Sequence, residues 1–284
     1  MSNENVVLVT GGTGSQGGAT VTHLLAAKKV RVRVLTRNLE SPNARSLAAR
    51  GVELVKGDFD DEASLRTALA GVSAAFSVQQ WTEKGGTAAE ELRGKRFADA
   101  IKASGSPHLV YSSAEGVERK SGLHHYESKW AIEQHILDLK LPATILRPVG
   151  FMDAFGAPAM QRGMFRANLG LSQRVQFVAT SDIGWFAARA LEEPERYAGR
   201  VIPLAGDELS VGDIIKTFKT VTGPKAWVAP IPTFLAKKMM PKEFLDMFTW
   251  IRENGFKANI AQVRQEYPQL LTFAGWVKKY SDEH

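Results

Sequence analysis

The stretch VVLVTGGTGSQGGATVTHLL, residues 6–25, places a run of glycines between a short apolar segment and a longer helical pattern. The spacing of Gly11, Gly14 and Gly17 is G-x-x-G-x-x-G, and counted from Gly12 it is also G-x-G-x-x-G. Where a strand turns into a helix, glycines let a pyrophosphate approach the backbone amides at the positive helix N-terminus. We therefore predict a dinucleotide-binding turn formed by Gly11, Thr13, Gly14, Ser15, Gln16 and Gly17.

Outward from this turn, short apolar runs alternate with helical stretches, which is typical of βαβ units. Strands are predicted at 5–10, 30–36, 52–57, 74–78, 108–113 and 143–148, and helices near 15–28, 42–50, 61–70, 87–104 and 124–139. Ser41-Pro42 predicts the start of the second helix, and Asp60 or Asp61 that of the third. The predicted fold class is α/β: a doubly wound parallel sheet, or Rossmann fold, with strand order 3-2-1-4-5-6 and room for a seventh strand.

The pattern changes after about residue 150, where helices dominate and short strands are expected near 174–179 and 200–205. We predict a nucleotide-binding domain over 1–150 and a smaller, mostly helical substrate-binding cap over 151–284, forming one compact unit. Two further helices are expected in the cap, at 232–253 and 270–280. These helices either form a homodimer surface or close a substrate pocket.

The composition of the 284 residues limits the function. There is no cysteine, which excludes disulfides, thiolate metal sites and a cysteine nucleophile, and we expect no metal. No apolar run approaches about 18 residues and the first residues lack a signal-peptide pattern, so we expect a cytoplasmic protein without a membrane span. The formal net charge of +6 is spread along the chain. We therefore expect no direct nucleic-acid binding, and we attribute the charge to a solvated surface and to attraction for a phosphorylated cofactor.

The end of the second predicted strand indicates which dinucleotide binds. Strands that select NAD usually end in Asp or Glu, which accepts hydrogen bonds from the ribose hydroxyls. The segment VLTRN, residues 34–38, has no carboxylate and instead contains Arg37. A guanidinium binds a 2′-phosphate with two hydrogen bonds, so Arg37 favours NADP(H), the alternative being a solvated loop residue.

The ends of the third and fourth predicted strands supply further cofactor contacts. Asp58 either meets the adenine amino group or caps the following helix, and Phe59 comes next to it. Val78 and Gln79 end the fourth strand and would flank the cofactor where the strand order reverses.

Several segments, taken in order, resemble a known family. They are TGGTGSQGG, VRVLTRN, GDFDD, VYSSAEG, HHYESKW, ILRPVGFMDAF and SDIGWFAARAL, and they span most of residues 5–220. The chain resembles the NmrA-like family of atypical short-chain dehydrogenases/reductases. Its members include NADPH-dependent quinone and triphenylmethane reductases, and redox-sensing regulators that bind NADP(H).

The resemblance implies an active site on the helix after the fifth strand. The wider superfamily has a Ser or Thr ending that strand and Tyr-x-x-x-Lys on the helix, two side chains about one turn apart that meet the cofactor from one face. Here the residue four before Lys129 is His125, whereas Tyr126 is three before it. By this resemblance Lys129 binds the nicotinamide ribose and His125, whose imidazole can donate a proton near neutral pH, takes the tyrosine's place. Tyr126 is kept as a substrate-side candidate, and Ser112 or Ser113 would stabilise the substrate oxygen.

The segment RPVGFMDAF, residues 147–155, would surround the nicotinamide end of the cofactor. Pro148 would fix the chain there, and Phe151 and Met152 would form an apolar wall. Other apolar side chains in this set are Trp81, Phe155, Met160, Met164 and Phe165. They form either a pocket for a small hydrophobic substrate or the packing of the cap onto the sheet.

Two classes of function follow from the resemblance. The first is an NADPH-dependent oxidoreductase that transfers hydride to a hydrophobic aromatic or conjugated carbonyl acceptor, such as a quinone. The second is a non-catalytic regulatory protein that senses NADP(H) and binds a protein partner such as a transcription factor. A biosynthetic isomerase or cyclase that uses NADP structurally is a third interpretation.

Overall fold

The computed structural model of the chain describes residues 5–105, 107–156, 159–222 and 231–283. Its strands are β1 (Val6–Thr10), β2 (Arg31–Thr36), β3 (Glu53–Lys56), β4 (Val72–Ser77), β5 (His108–Ser112), β6 (Ala143–Pro148), β7 (Gly150–Phe151), β8 (Arg174–Val178), β9 (Val201–Leu204) and β10 (Asp207–Ser210). Its helices are α1 (Ser15–Ala27), α2 (Pro42–Ala49), α3 (Glu62–Leu69), α4 (Gly86–Ala103), α5 (His124–Asp138), α6 (Ala159–Leu169), α7 (Thr180–Glu192), α8 (Pro194–Tyr197), α9 (Val211–Thr222), α10 (Thr233–Met239), α11 (Lys242–Asn254), α12 (Ile260–Glu266) and α13 (Phe273–Glu283).

Seven strands form the main sheet, in the order β3-β2-β1-β4-β5-β6-β9. The neighbouring pairs from β3 through β6 all run parallel. The order reverses between β1 and β4, so the carboxyl ends of these two strands border the crevice where doubly wound sheets bind ligands. The predicted fold class and strand order are confirmed, and β9 is the seventh strand.

Burial of the central strand explains why its sequence is a continuous apolar run. Val7, Leu8 and Val9 of β1 are all completely buried, as expected for a strand covered by helices on both faces of a parallel sheet. Each such side chain contributes roughly 1.5–3 kcal/mol through removal of its apolar surface from water. This apolar centre fixes the sheet on whose carboxyl edge the candidate site lies.

The helices α4 and α5 approach each other closely on the sheet. A Cβ added to Gly94 of α4 would lie 2.4 Å from Cδ1 of Ile132 on α5, a distance that no larger residue tolerates without displacing that side chain. Phe97 and Ile101, further along α4, are completely buried and belong to the same apolar cluster as Ile132. The packing therefore brings the middle parts of these two helices together.

Capping side chains start the second and third helices. Ser41 accepts a hydrogen bond from the N–H of Ala44, and Pro42 occupies the first turn of α2. Asp61 caps α3, since its side chain accepts from the N–H groups of Ala63 and Ser64. Of the two aspartates that the sequence offered for α3, the second is therefore the cap.

The chain divides into two compact units. The first comprises the residues up to Glu118, His124–Arg147 and Ile183–Ile202; the second comprises Arg119–Leu123, Pro148–Asp182 and the residues from Pro203 onward. One change of unit falls after Arg147, near the boundary expected at 150, but most of α7 belongs to the first unit. Nζ of Lys29, just past α1, lies 3.8 Å from Oε2 of Glu192 at the end of α7. The chain thus returns to the first unit at α7. The contact that marks this return joins residues far apart in the sequence, so the local sequence pattern does not reveal it.

The second unit contains a small sheet in the order β10-β8-β7. β8 is antiparallel to β10 and parallel to β7. β8 lies where a strand was expected, whereas β7 and β10 were not predicted. β7 has only two residues, and β10 reads DELS, which has one apolar residue. The helix expected at 232–253 is two helices, α10 and α11, because Pro241 disfavours helical backbone at Met240, whose ψ is 135°.

Aromatic rings form the core of the second unit. The ring of Phe155 meets those of Phe177 and Phe273 edge-on, with centroids 5.2 and 5.4 Å apart. Phe273 also packs against Phe218 and Trp276, at 5.6 and 5.7 Å. The edge-to-face pairs among them, which are Phe155–Phe177, Phe155–Phe273 and Phe218–Phe273, add stability beyond the area they bury.

A carboxyl group is buried beside this core. Asp182 is only 2% exposed, and its Oδ2 accepts a hydrogen bond from the N–H of Leu271 at 3.0 Å. Burial raises the pKa of Asp182 from 3.8 to about 6 because desolvation disfavours the carboxylate, and the Leu271 amide offsets part of that effect.

We expect Asp182→Asn to remove a pH dependence of stability. Because its folded-state pKa is raised, the contribution of Asp182 is complete below about pH 4 and is lost as the pH rises through about 6. That shift corresponds to at most ~3 kcal/mol. Asparagine keeps an acceptor for the Leu271 amide and cannot ionise, so the variant should be the more stable protein above pH 6.

Urea unfolding between pH 4 and pH 8 checks this expectation, with Asp282→Asn on the exposed part of α13 as the control. The difference in free energy of unfolding between wild type and Asp182→Asn should shrink towards pH 4, whereas the control should have the stability of wild type at every pH. A gap that does not change with pH would contradict the expectation.

Candidate functional site

The glycine turn joins β1 to α1 at the point where the strand order reverses. The N–H of Gly14 donates to the carbonyl oxygen of Gly11 at 2.9 Å, and α1 begins at the next residue. A Cβ on Gly17 would lie 2.3 Å from that same oxygen, so a glycine is required there. Asn43, in α2, donates through Nδ2 to the carbonyl oxygen of Thr13 at 3.0 Å and holds the outer side of the turn. The amides of the first turn of α1 therefore face outward without a capping side chain, which suits an anionic group.

Two serines end the fifth strand, and they have different surroundings. Oγ of Ser112 donates to Oε1 of Gln16 at 2.6 Å and thus joins the end of β5 to the glycine turn. Oγ of Ser113 is buried and has no hydrogen-bond partner among the residues that the structure describes. The same holds for Oε1 of Gln79, whose Nε2 donates to Oγ of Ser77 at 2.8 Å. Buried polar atoms without partners are costly, and these two lie just past the ends of β5 and β4, where the cofactor is predicted to bind.

Three other expected cofactor residues lie at the carboxyl ends of β3 and β4. Oδ1 of Asp58 accepts a backbone N–H two residues further on, at 2.9 Å, so this side chain shapes the turn before α3. The ring of Phe59 packs edge-on against Phe97, with centroids 5.6 Å apart. The N–H of Val78 donates to Oγ1 of Thr10 at 3.3 Å and ties the end of β4 to β1.

Arg37 lies just past β2 and belongs to a chain of alternating charges. Its Nη2 is 2.9 Å from Oε1 of Glu83 in the loop after β4. Oε2 of Glu83 is also 3.2 Å from Nη1 of Arg93, on α4. Arg93 in turn bonds Asp60 at 2.7 Å, and this hydrogen bond holds the pKa of Asp60 below its usual value. The guanidinium of Arg37 therefore has a carboxylate beside it.

The first turn of α5 contains the histidine that stands four residues before the lysine. The imidazole of His125 is 6% exposed. The indole of Trp81 stacks on it, with centroids 5.2 Å apart and planes 25° apart, and the ring of Tyr126 meets it edge-on at 4.9 Å. The imidazole is thus covered on one face by a tryptophan from the loop after β4.

The lysine of α5 is held by a buried carboxylate. Nζ of Lys129 lies 2.9 Å from Oε1 of Glu90 on α4, and Oγ of Ser128 donates to Oε2 of the same carboxylate at 2.5 Å. The side chain of Glu90 is completely buried and that of Lys129 is 12% exposed. The ammonium therefore has a fixed position before any ligand binds.

The remaining predicted residues belong to the second unit. Pro148 ends β6 and is buried, and Phe151 in β7 is half-buried. Met152 and Phe155 are buried within that unit, so for these two side chains the packing interpretation applies. Met164 is half-buried on α6, and the side chains of Met160 and Phe165 lie outside the described residues.

Neither a metal cluster nor a membrane span was found in the described ranges. Within them, no group of three or more His, Cys, Asp or Glu side chains could hold a metal ion. No helix among those residues is long and apolar enough to cross a membrane.

Comparison with known proteins identifies the family. The model of the NmrA-like family matches residues 3–277. The chain belongs to the NmrA-like family. An NmrA-like family domain-containing oxidoreductase of Aspergillus flavus is 30% identical over 262 residues, covering 82% of this chain and 78% of that protein. A second, from Cladobotryum sp., is 29% identical over 256 residues, covering 80% and 76%.

Solved structures of NmrA-like proteins share the fold. Citrobacter sp. triphenylmethane reductase complexed with NADP(H) gives a TM-score of 0.79 at 23% identity, covering 96% of this chain and 99% of that one. The Escherichia coli NADPH-dependent quinone oxidoreductase complexed with NADPH gives 0.75 at 20% identity, covering 96% and 99%. The negative transcriptional regulator NmrA in complex with NADP gives 0.78 at 17% identity, covering 99% and 97%. Because reductases and a regulator share this fold, the fold alone does not decide between them.

Two charged residues of the site were missed from the sequence. Glu90 lies on the same face of α4 as Gly94, Phe97 and Ile101, all of which are buried. A carboxylate within an otherwise apolar helical stripe requires a buried partner, and that was the signal available. Glu83 gave no such signal, since it is one of several polar residues in a loop.

We expect Glu90→Ala to destabilise the first unit strongly. The substitution leaves the ammonium of Lys129 without its carboxylate in a largely buried position, and breaking such a pair typically costs ~3–5 kcal/mol. The free energy of unfolding in guanidinium chloride measures the loss.

The double variant Glu90→Leu with Lys129→Met is the matched control. It removes both charges and keeps apolar volume, so it should be clearly more stable than Glu90→Ala. If the double variant loses as much stability as the single one, the ion pair is not the cause.

Proposed function

We propose that this NmrA-like protein is an NADPH-dependent reductase that transfers hydride to a hydrophobic aromatic or conjugated carbonyl acceptor, such as a quinone. The observation that carries the proposal is the grouping of three features at the carboxyl edge of one sheet. They are the glycine turn, the guanidinium of Arg37, and the pair of His125 and Lys129 on α5. Relatives described as oxidoreductases, and NADP(H) complexes on the same fold, support it.

The residues present fit NADP(H). The glycine turn leads directly into the first amides of α1, which have no capping side chain and suit a pyrophosphate. Arg37 follows β2, where a 2′-phosphate would lie, and the end of that strand has no carboxylate for the ribose hydroxyls of NAD. The unpartnered oxygens of Ser113 and Gln79 offer hydrogen bonds at the ends of β5 and β4.

When bound, NADPH supplies a hydride. Nζ of Lys129 has three donors, of which Glu90 takes one, so the others can bind the hydroxyls of the nicotinamide ribose. Hydride addition leaves negative charge on the acceptor oxygen, and an imidazole N–H of His125 can donate the proton that completes the reduction. Ser113 is a better candidate than Ser112 for a hydrogen bond to that oxygen, because Ser112 already donates to Gln16.

The rings around His125 support a planar acceptor. Trp81 stacks on the imidazole, so a conjugated acceptor ring can stack on it in the same way once Trp81 has moved aside.

We further propose that residues 151–284 act as the substrate-binding cap and that the protein works in the cytoplasm, since a chain without cysteine needs no oxidising compartment.

We expect Gly17→Ala to weaken NADPH binding by at least about tenfold. The new Cβ would lie 2.3 Å from the carbonyl oxygen of Gly11 and would displace the turn that receives the pyrophosphate. Gly18→Ala is the matched control because its Cβ would lie 3.3 Å from the nearest atom, the oxygen of Gly12. Titration followed by NADPH fluorescence measures the affinity of each variant. Equal affinities in the two variants would contradict the role of this turn in cofactor binding.

We expect His125→Ala and Lys129→Ala to slow acceptor reduction by about a hundredfold or more, as loss of a general acid or of its orienting partner does. Stopped-flow loss of NADPH absorbance with a panel of quinones and aromatic aldehydes measures the rate. Tyr126→Phe is the control, and it should keep most of the activity. Loss of activity in Tyr126→Phe alone would transfer the proton-donor role to the tyrosine.

A second candidate function is a sensor of NADP(H) that binds a protein partner. It is favoured by the burial of His125 beneath Trp81 and by the position of Tyr126, three rather than four residues before Lys129. Tight NADPH binding with no acceptor reduced, together with partner binding that differs between NADPH and NADP⁺, would favour the sensor over the reductase.

A further inference from the structure

The guanidinium proposed to bind the 2′-phosphate is already occupied by a carboxylate. Nη2 of Arg37 donates to Oε1 of Glu83 at 2.9 Å, and Nη1 donates to Oε2 at 3.5 Å. The side chain of Arg37 is 63% exposed and that of Glu83 is 36% exposed. Water and salt weaken ion pairs at such a surface, so this pair is exchangeable.

A phosphate is the stronger ligand for the same guanidinium. Arginine binds phosphate with two parallel charge-assisted hydrogen bonds, and a dianion attracts the guanidinium more than a single carboxylate does. Binding of NADPH would therefore replace one anion on Arg37 by another. The cost of the exchange is chiefly the lost pair with Glu83, because Arg93 continues to screen its carboxylate from the incoming phosphate.

Other contacts keep Glu83 in place after Arg37 has moved. Nη1 of Arg93 lies 3.2 Å from Oε2 of Glu83, and Arg93 is itself anchored to Asp60 at 2.7 Å. The backbone of Glu83 also accepts the N–H of Gly86 at 3.0 Å, at the start of α4. The carboxylate of Glu83 therefore stays beside the position proposed for the 2′-phosphate when NADPH binds.

We infer that Glu83 is a specificity-determining residue: it acts as a resident counter-ion of Arg37 and reduces the preference of the protein for NADPH over NADH. The inference rests on the proposed function, from which it takes the cofactor and the role of Arg37. NADH has no 2′-phosphate, so its binding neither needs Arg37 nor breaks the pair between Arg37 and Glu83. The carboxylate therefore weakens NADPH selectively, which leaves the cofactor easier to exchange.

Isothermal titration of NADPH, NADH and 2′,5′-ADP without any acceptor tests the inference. The proteins are wild type, Glu83→Gln, Arg37→Ala and the double variant. Glu195→Gln, at an exposed position of α8, is the control for the change in net charge. Glutamine keeps the shape and an acceptor oxygen for Arg93 but removes the charge. We expect Glu83→Gln to bind NADPH and 2′,5′-ADP about fivefold tighter and to bind NADH within about twofold of wild type.

The double variant shows whether the effect passes through Arg37. In the absence of the guanidinium, Glu83→Gln should change NADPH affinity by less than about twofold, because no pair is left to exchange and Arg93 still screens the carboxylate. Glu195→Gln should leave all three affinities unchanged. A fivefold gain in NADPH affinity that persists in the double variant would mean that Glu83 acts by general repulsion of the cofactor and not through Arg37. That result would overturn the inference.

Four further outcomes would also overturn it. Equal weakening of every nucleotide in Glu83→Gln would mean that the side chain only supports its loop. Selective loss of NADH affinity would make Glu83 a ribose ligand instead, and unchanged affinities would mean that it has no part in binding. If the wild-type protein binds neither NADPH nor NADH, both the proposed cofactor site and this inference are wrong. If it binds NADPH but reduces no acceptor, only the reductase proposal is wrong.

Discussion

The carboxylate of Glu90, completely buried between α4 and α5, is the constraint on which the candidate site depends. A charge in that position must be matched, and Lys129 and Ser128 match it. One turn further along, Gly94 and Ile132 let the helices come close enough for this contact. The lysine expected to bind the nicotinamide ribose is therefore positioned by the packing of two helices, so ligand binding does not have to order it.

The loop between β4 and α4 connects the separate parts of the site. Val78 ties its start to β1, Gln79 directs an unpartnered oxygen into buried space, Trp81 covers His125, and Glu83 neutralises Arg37. This loop lies where the strand order reverses, so it is next to the glycine turn on one side and α5 on the other. Both ends of a bound dinucleotide would thus depend on one segment of eight residues, 78–85.

The sequence predicted the framework of the sheet but not its charged contacts. β1 to β6 lie within about two residues of the predicted strands, because runs of buried apolar residues bounded by turn and capping residues are local signals. β7 is too short and β10 too polar to leave such a signal, and the return of α7 to the first unit depends on contacts with α1. The glycine turn, Arg37 and the pair of His125 and Lys129 could also be predicted, because each is recognised from a few neighbouring residues in the sequence.

Their partners are not local. Arg37 and Glu83 are 46 positions apart, and Lys129 and Glu90 are 39 apart, so each pair exists only once the sheet order is set. These partners change how the residues found from sequence are interpreted: Arg37, the proposed phosphate ligand, has a competing carboxylate, and Lys129, the proposed ribose ligand, has a fixed counter-ion. Proton donation by His125 is conditional in the same way, since Trp81 covers its imidazole and belongs to the loop that carries Glu83. Exchange of the anion on Arg37 and access to His125 therefore involve the same loop, and this physical link serves a reductase and a sensor equally well.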